Sequence, residues 1–238
     1  MASWINPNET ILLAMLAGLL AVDERAGWQS LLSNPVYIAV LVGLLLGEVR
    51  VAVATGVALE LVWLSILPMR GSRRPDIVSG AVVGVGTSCL ILRHTADPRE
   101  LLVAAAGVFS GIVVGHLAGA LNRGVGRVRG RSLARFEIPA GAGAGPLVRR
   151  LLAAQYLSLF SYFITAALVV AIALPVTVFL GDRSTGWANA PVVRGAGWWV
   201  QLLPAFGAAA LVQNYWHRHL NRFLLLSAGL VLVVLWFR

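Results

Sequence analysis

Apolar runs separated by short polar breaks dominate this chain, and eight of them can be read. They are Ile11–Val22, Pro35–Gly47, Val51–Leu67, Ile77–Leu92, Leu101–Leu121, Leu151–Leu180, Gly195–Val212 and Phe223–Phe237. A helix needs about 20 apolar residues to cross the hydrocarbon core of a bilayer. The first two runs are shorter, about 12 and 13 residues. They predict either helices extended by semi-polar flanks or re-entrant segments. Re-entrant backbone is stable at membrane depth only when buried in protein or lining a cavity, and short, interrupted segments point to a transporter's binding site. The predicted fold class is an all-α integral membrane protein, a bundle of about eight hydrophobic segments. Re-entrant or broken segments among them are an open alternative.

Composition agrees. Of 238 residues 58% are hydrophobic and 12% charged, and the mean hydropathy is +0.81. A soluble domain carries roughly 25% charged residues, so much of this surface must face something other than water. The net charge of +9 rests on nineteen Arg and no Lys. These Arg lie between apolar runs and do not interleave with aromatics, which argues against nucleic acid and for retention on the cytoplasmic side. No basic n-region precedes the first apolar run, so that run is expected to stay as a helix rather than be cleaved.

The longest break divides the chain. We read residues 1–121 as an N-terminal membrane half, 122–150 as a basic Gly/Ala/Pro-containing cytoplasmic loop, and 151–238 as a C-terminal membrane half. The loop holds Arg123, Arg127, Arg129, Arg131, Arg135, Arg149 and Arg150, and a low-complexity tether from Pro139 to Pro146. With eight full spans, a cytoplasmic 122–150 places thirteen Arg inside and six outside. Asp23–Asn34, Pro68–Asp76 and Gln213–Arg222 are then inside loops, and the N-terminus is outside. One packing device is also legible. Gly107, Gly111, Gly115 and Gly119 recur every fourth residue, and Gly80 and Gly84 repeat the spacing one segment earlier. Such stripes let membrane helices approach backbone to backbone.

Few residues could carry chemistry. Glu60 lies near the middle of its apolar run, where an ionised carboxylate costs at least about 2.5 kcal/mol and is usually kept for function. It is a natural bidentate acceptor for a pair of sugar hydroxyls; a protonated Glu bonded to a neighbouring helix is the alternative. Asp76 just precedes an apolar run and fits either a helix N-cap or a ligand. Asp23 and Glu24 read as an interfacial charge pair. His116 reads as a packed hydrogen-bonding residue, and His217 and His219 as facing solvent or headgroups. Trp198, Trp199 and Trp216 fit an interfacial belt. Cys89 is alone, so it forms no internal disulfide, and a buried small hydrophobe is its expected role. No metal-ligand spacing, phosphate loop or nucleophile elbow is present; no metal, cofactor or catalytic residue is implied.

The same residues resemble a known family. The stretch from about Asp23 to Val83 holds an early Asp-Glu, then Asn34-Pro35-Val36 and Leu41-Val-Gly-Leu-Leu-Leu-Gly-Glu48. Gly56-Val-Ala-Leu-Glu60 follows, and Pro75-Asp76 stands with its Asp sixteen residues beyond that Glu. In this the chain resembles the membrane IIC subunit of the mannose/sorbose-type sugar phosphotransferase system (PTS). The resemblance implies a multi-pass permease of the cell inner (plasma) membrane. Such a subunit would bind and translocate a hexose-like sugar, and partner subunits would carry out the phosphoryl transfer, so the chain itself would not be an enzyme. Implied partners are a IID-type membrane subunit, soluble IIA/IIB phosphocarriers, the lipid bilayer and further copies in an oligomer, with no nucleic acid. Glu60, Asp76, Asp23 and Ser65 are the substrate-binding candidates. The chain departs from the pattern at Arg70, Arg73 and Arg74, in a turn that is usually small and uncharged, and at Asn34, where a basic residue is common. Two rivals remain: a non-transporting assembly or regulatory relative, and an intramembrane enzyme on lipid-linked substrate using Glu60 and His116.

Overall fold

The computed structural model describes residues 6–25, 31–64, 74–94, 100–134 and 144–215, and these form helices and no strands. The helices are α1 (Pro7–Arg25), α2 (Pro35–Leu46), α3 (Val49–Leu64), α4 (Ile77–His94), α5 (Glu100–Ala134), α6 (Ala144–Gly186) and α7 (Ala190–Tyr215). The eighth apolar run, Phe223–Phe237, lies outside the described residues. α4, most of α5 (Glu100–Val128) and most of α6 (Val148–Gly186) are long and apolar enough to cross a membrane.

The core forms around α4, which is buried continuously from Val78 to Ile91. Its residues are mostly small, so α1, α2, α3, α5 and α6 all pack against it. The closest approach is to α5, through the glycine stripe. A methyl group added at Gly111 would lie 2.8 Å from the carbonyl oxygen of Gly80, and one at Gly84 would lie 2.7 Å from that of Gly107. Backbone therefore touches backbone along this contact, as the spacing predicts. Hydroxyls add cross-links, Thr55 to Ser88 at 2.9 Å and Thr87 to Thr177 at 2.7 Å.

α2 and α3 form a tight hairpin. Gly47 ends α2 with φ of +78°, the left-handed conformation that glycine adopts without a Cβ penalty, and its N–H bonds back to the Gly43 carbonyl. α2 has 12 residues, which gives a length of about 18 Å at 1.5 Å per residue. It starts beside the middle of α3, since a Cβ on Gly56 would meet the Pro35 carbonyl at 2.9 Å. The short second run is thus a 12-residue helix whose N-terminus lies against α3.

The basic break is less of a loop than its polarity suggests. α5 continues to Ala134, well past Leu121, and α6 begins at Ala144, so much of 122–150 is helical. Pro146 stands in the first turn of α6, where the missing N–H has no intrahelical partner to lose. The apolar run Leu151–Leu180 is correspondingly the middle of a 43-residue helix.

Charges collect at the two ends of the bundle. At one end Arg93 pairs with Glu9 at 2.9 Å and Arg50 with Glu100 at 3.3 Å. At the other, Arg25 pairs with Asp76 at 3.0 Å. The segments read as inside loops from their Arg content, after α1 and before α4, therefore share one end with Asn122. Trp198 and Trp199 of α7 are exposed, as belt residues are.

Candidate functional site

Asp76 organises the end of the bundle. Pro75 precedes it and its side chain caps α4, with Oδ1 accepting the Ser79 N–H at 3.1 Å. Its own N–H donates to the Gly115 carbonyl at 2.7 Å, a contact that the side-chain-free stripe of α5 permits. The residue is 1% exposed, so its charge needs partners within the protein. Oδ2 accepts from Arg25 Nη2 at 3.0 Å and from the side-chain amide of Asn122. The α4 N-terminus adds a favourable dipole. Removing one partner of such a buried ion pair costs roughly 3–5 kcal/mol. The Arg25 guanidinium also lies over the Tyr162 ring, 4.9 Å from its centroid. One carboxylate thus ties the end of α1 and the start of α4 to α5, and Arg25 extends the tie to α6.

A cleft of about 410 Å³ opens beside this cluster. Glu24 and Arg25 line it from α1, Arg74 and Pro75 from the approach to α4, Gly119, Asn122 and Arg123 from α5, and Tyr162 from α6. Arg123 donates to the Arg74 carbonyl at 3.2 Å. Burial pushes the Glu24 carboxyl above its ordinary range, against the opposing pull of Arg25 at 3.6 Å.

Glu60 belongs to a different, deeper cluster. It is half-buried on α3 and takes a hydrogen bond from the backbone of Val36, in the first turn of α2. The N-terminus of α2 therefore presents N–H groups and a positive dipole end to this carboxylate within the bundle. Oε2 of Glu60 is buried and has no hydrogen-bond partner among the described residues, and the same holds for Trp63 Nε1 and Ser79 Oγ. Trp63 stands one turn beyond Glu60. Its ring packs where Cβ atoms on Gly80 and Gly115 would lie, at 2.9 and 3.2 Å.

The structure separates the sequence candidates. Asp76 is an N-cap and an ion-pair partner, and both its oxygens are engaged. Glu60 keeps one oxygen unbonded and does not line the cleft. Asp23 is partly exposed in the last turn of α1 and does not line the cleft either. Ser65 lies outside the described residues, as do Trp216, His217 and His219. His116 is exposed on α5, beside exposed Leu117 and one turn from exposed Val113, rather than packed within the bundle. It faces outward, which leaves the pairing with half-buried Glu60 without support. Sequence reasoning missed Arg25, Asn122 and Tyr162. Arg25 was legible only as topological charge; an Arg ending one apolar run and an Asp opening another was the available signal.

An all-helical bundle with three helices long and apolar enough to cross a membrane fits a multi-pass membrane protein. The family model of the PTS system sorbose-specific IIC component matches residues 8–236. The chain belongs to that family. It is 34% identical over 80 residues to the "Putative N-acetylgalactosamine permease IIC component 2" of Escherichia coli (strain K12). That match covers 34% of this chain and 59% of the relative, so the chain spans less than two thirds of the curated relative it matches.

Proposed function

We propose that the chain is the membrane sugar permease subunit of a phosphoenolpyruvate-dependent phosphotransferase system. It binds a hexose-like sugar and translocates it for phosphorylation by partner subunits. The observation that carries this reading is the unbonded, buried oxygen of Glu60 at the N-terminus of α2, in a chain matched to the family over residues 8–236. Asp76, with both oxygens engaged, positions α1, α4 and α5, and the sugar-accepting role falls to Glu60. The relative's name makes an N-acetylated amino sugar the first to test. The partners are a IID-type membrane subunit and soluble IIA/IIB phosphocarriers, in an oligomer in the inner (plasma) membrane, and the chain itself transfers no phosphoryl group.

Membrane vesicles containing the chain, its membrane partner and the soluble subunits test this. Phosphoenolpyruvate-dependent accumulation of N-acetylgalactosamine or a related hexose is expected, and omitting the chain should abolish it. No accumulation of any sugar with every subunit present would favour the non-transporting relative. Sidedness follows from the Arg distribution. Ser132→Cys in a Cys89→Ser background should label only with a membrane-permeant thiol reagent. Labelling of intact cells by an impermeant reagent would reverse the map.

A further inference from the structure

We propose that the cleft between the end of α1, the approach to α4, residues 119–123 of α5 and Tyr162 of α6 is a binding site for a phosphate-bearing anion. Three arginines from separate stretches of chain, Arg25, Arg74 and Arg123, line this one concave space. Retention of positive charge on one side of a membrane explains Arg at this end, but such Arg need only face water or headgroups. It does not explain their convergence on a cleft. An uncharged sugar gives no reason for it either.

The charges of the cluster do not cancel. Asp76 is matched by Arg25 at 3.0 Å. Glu24 is the remaining carboxyl on the cleft, with Arg25 Nε 3.6 Å from its Oε2. Three arginines, Arg25, Arg74 and Arg123, therefore exceed the two carboxyls, Asp76 and Glu24, by one positive charge. Arg74 and Arg123 are also tied together, since Arg123 spends one N–H on the Arg74 carbonyl. A guanidinium presents a planar fork that matches phosphate oxygens two at a time, and more than one such residue at a single cleft suits a phosphate, which has oxygens for both. The volume of about 410 Å³ lies within the range of small-molecule sites, about 300–1,000 Å³. The ligand chemistry is a phosphate ester, and it has two sources: a soluble sugar phosphate or a phospholipid headgroup. The site is independent of the sugar reading, because a chain that moves no sugar could still hold the anion.

The test uses the full purified chain in neutral detergent, with glucose 6-phosphate as the soluble probe. Saturable binding is expected, with no competition from glucose. Arg74→Gln with Arg123→Gln should weaken binding at least about tenfold. The melting temperature without ligand should hold, because Arg74 is exposed and Arg123 only half-buried. Lysine at both positions keeps the charge and loses the fork, so its affinity should fall between the two. Nanodiscs then separate the sources. Equal glucose 6-phosphate binding in phosphatidylcholine discs with and without phosphatidylglycerol assigns a soluble ester. Loss of binding only in phosphatidylglycerol discs, restricted to the unmutated chain, assigns a headgroup. Absence of probe binding in detergent and both discs, or equal affinity in the unmutated chain and the double Gln variant, would overturn the proposal. Sugar accumulation is scored separately, so failure there touches only the permease reading.

Discussion

Gly111→Leu is expected to destabilise the bundle by roughly 3 kcal/mol or more, at or beyond the upper end of overpacking costs. The reason is geometric. Even a Cβ at this position meets the Gly80 carbonyl oxygen at 2.8 Å and the Leu59 side chain at 3.0 Å. Leucine side chains can move, but α4 backbone cannot yield without parting from α5. The effect should be graded along the same helix. Gly115→Ala meets its nearest atom at 3.2 Å and should cost less than Gly111→Ala. At Gly124 nothing lies within 4 Å, so Gly124→Ala should be neutral or stabilising by up to about 1 kcal/mol through helix propensity. Thermal melting of the purified variants in detergent checks the series. Equal melting temperatures for Gly111→Leu and Gly124→Ala would remove the packing account.

That series rests on a feature legible in the sequence, because small residues at every fourth position have one structural use in a membrane helix. The shortness of the second run was legible too, and α2 is a helix of 12 residues. Other features could not be read. Hydropathy marks where apolar residues stop, not where a helix stops, so Asn122–Ala134 looked like loop while Arg, a good helix former, continues α5 through it. His116 looked packed because a membrane helix is apolar on its outer face as well. Asp76 was balanced between cap and ligand until the structure brought Arg25 and Asn122 to its second oxygen. Those contacts join residues far apart in sequence. For the same reason, nothing in Val51–Leu67 alone says that Glu60 meets the start of α2.

Glu60 is the residue on which the functional account turns. It is a carboxylate beside the Val36 backbone at the start of α2, and its Oε2 is buried without a hydrogen-bond partner among the described residues. A sugar hydroxyl bonded to that oxygen would contribute roughly 1.5–3 kcal/mol, or about one to two powers of ten in affinity. Glutamine keeps the volume and one hydrogen-bonding oxygen but loses the charge. The most direct measurement is sugar binding and thermal melting together, on the purified complex with its membrane partner, before and after Glu60→Gln. The account predicts binding weakened about ten- to a hundredfold, with the melting temperature little changed. Normal sugar binding with a collapsed melting temperature would contradict it and make Glu60 a structural cap for α2.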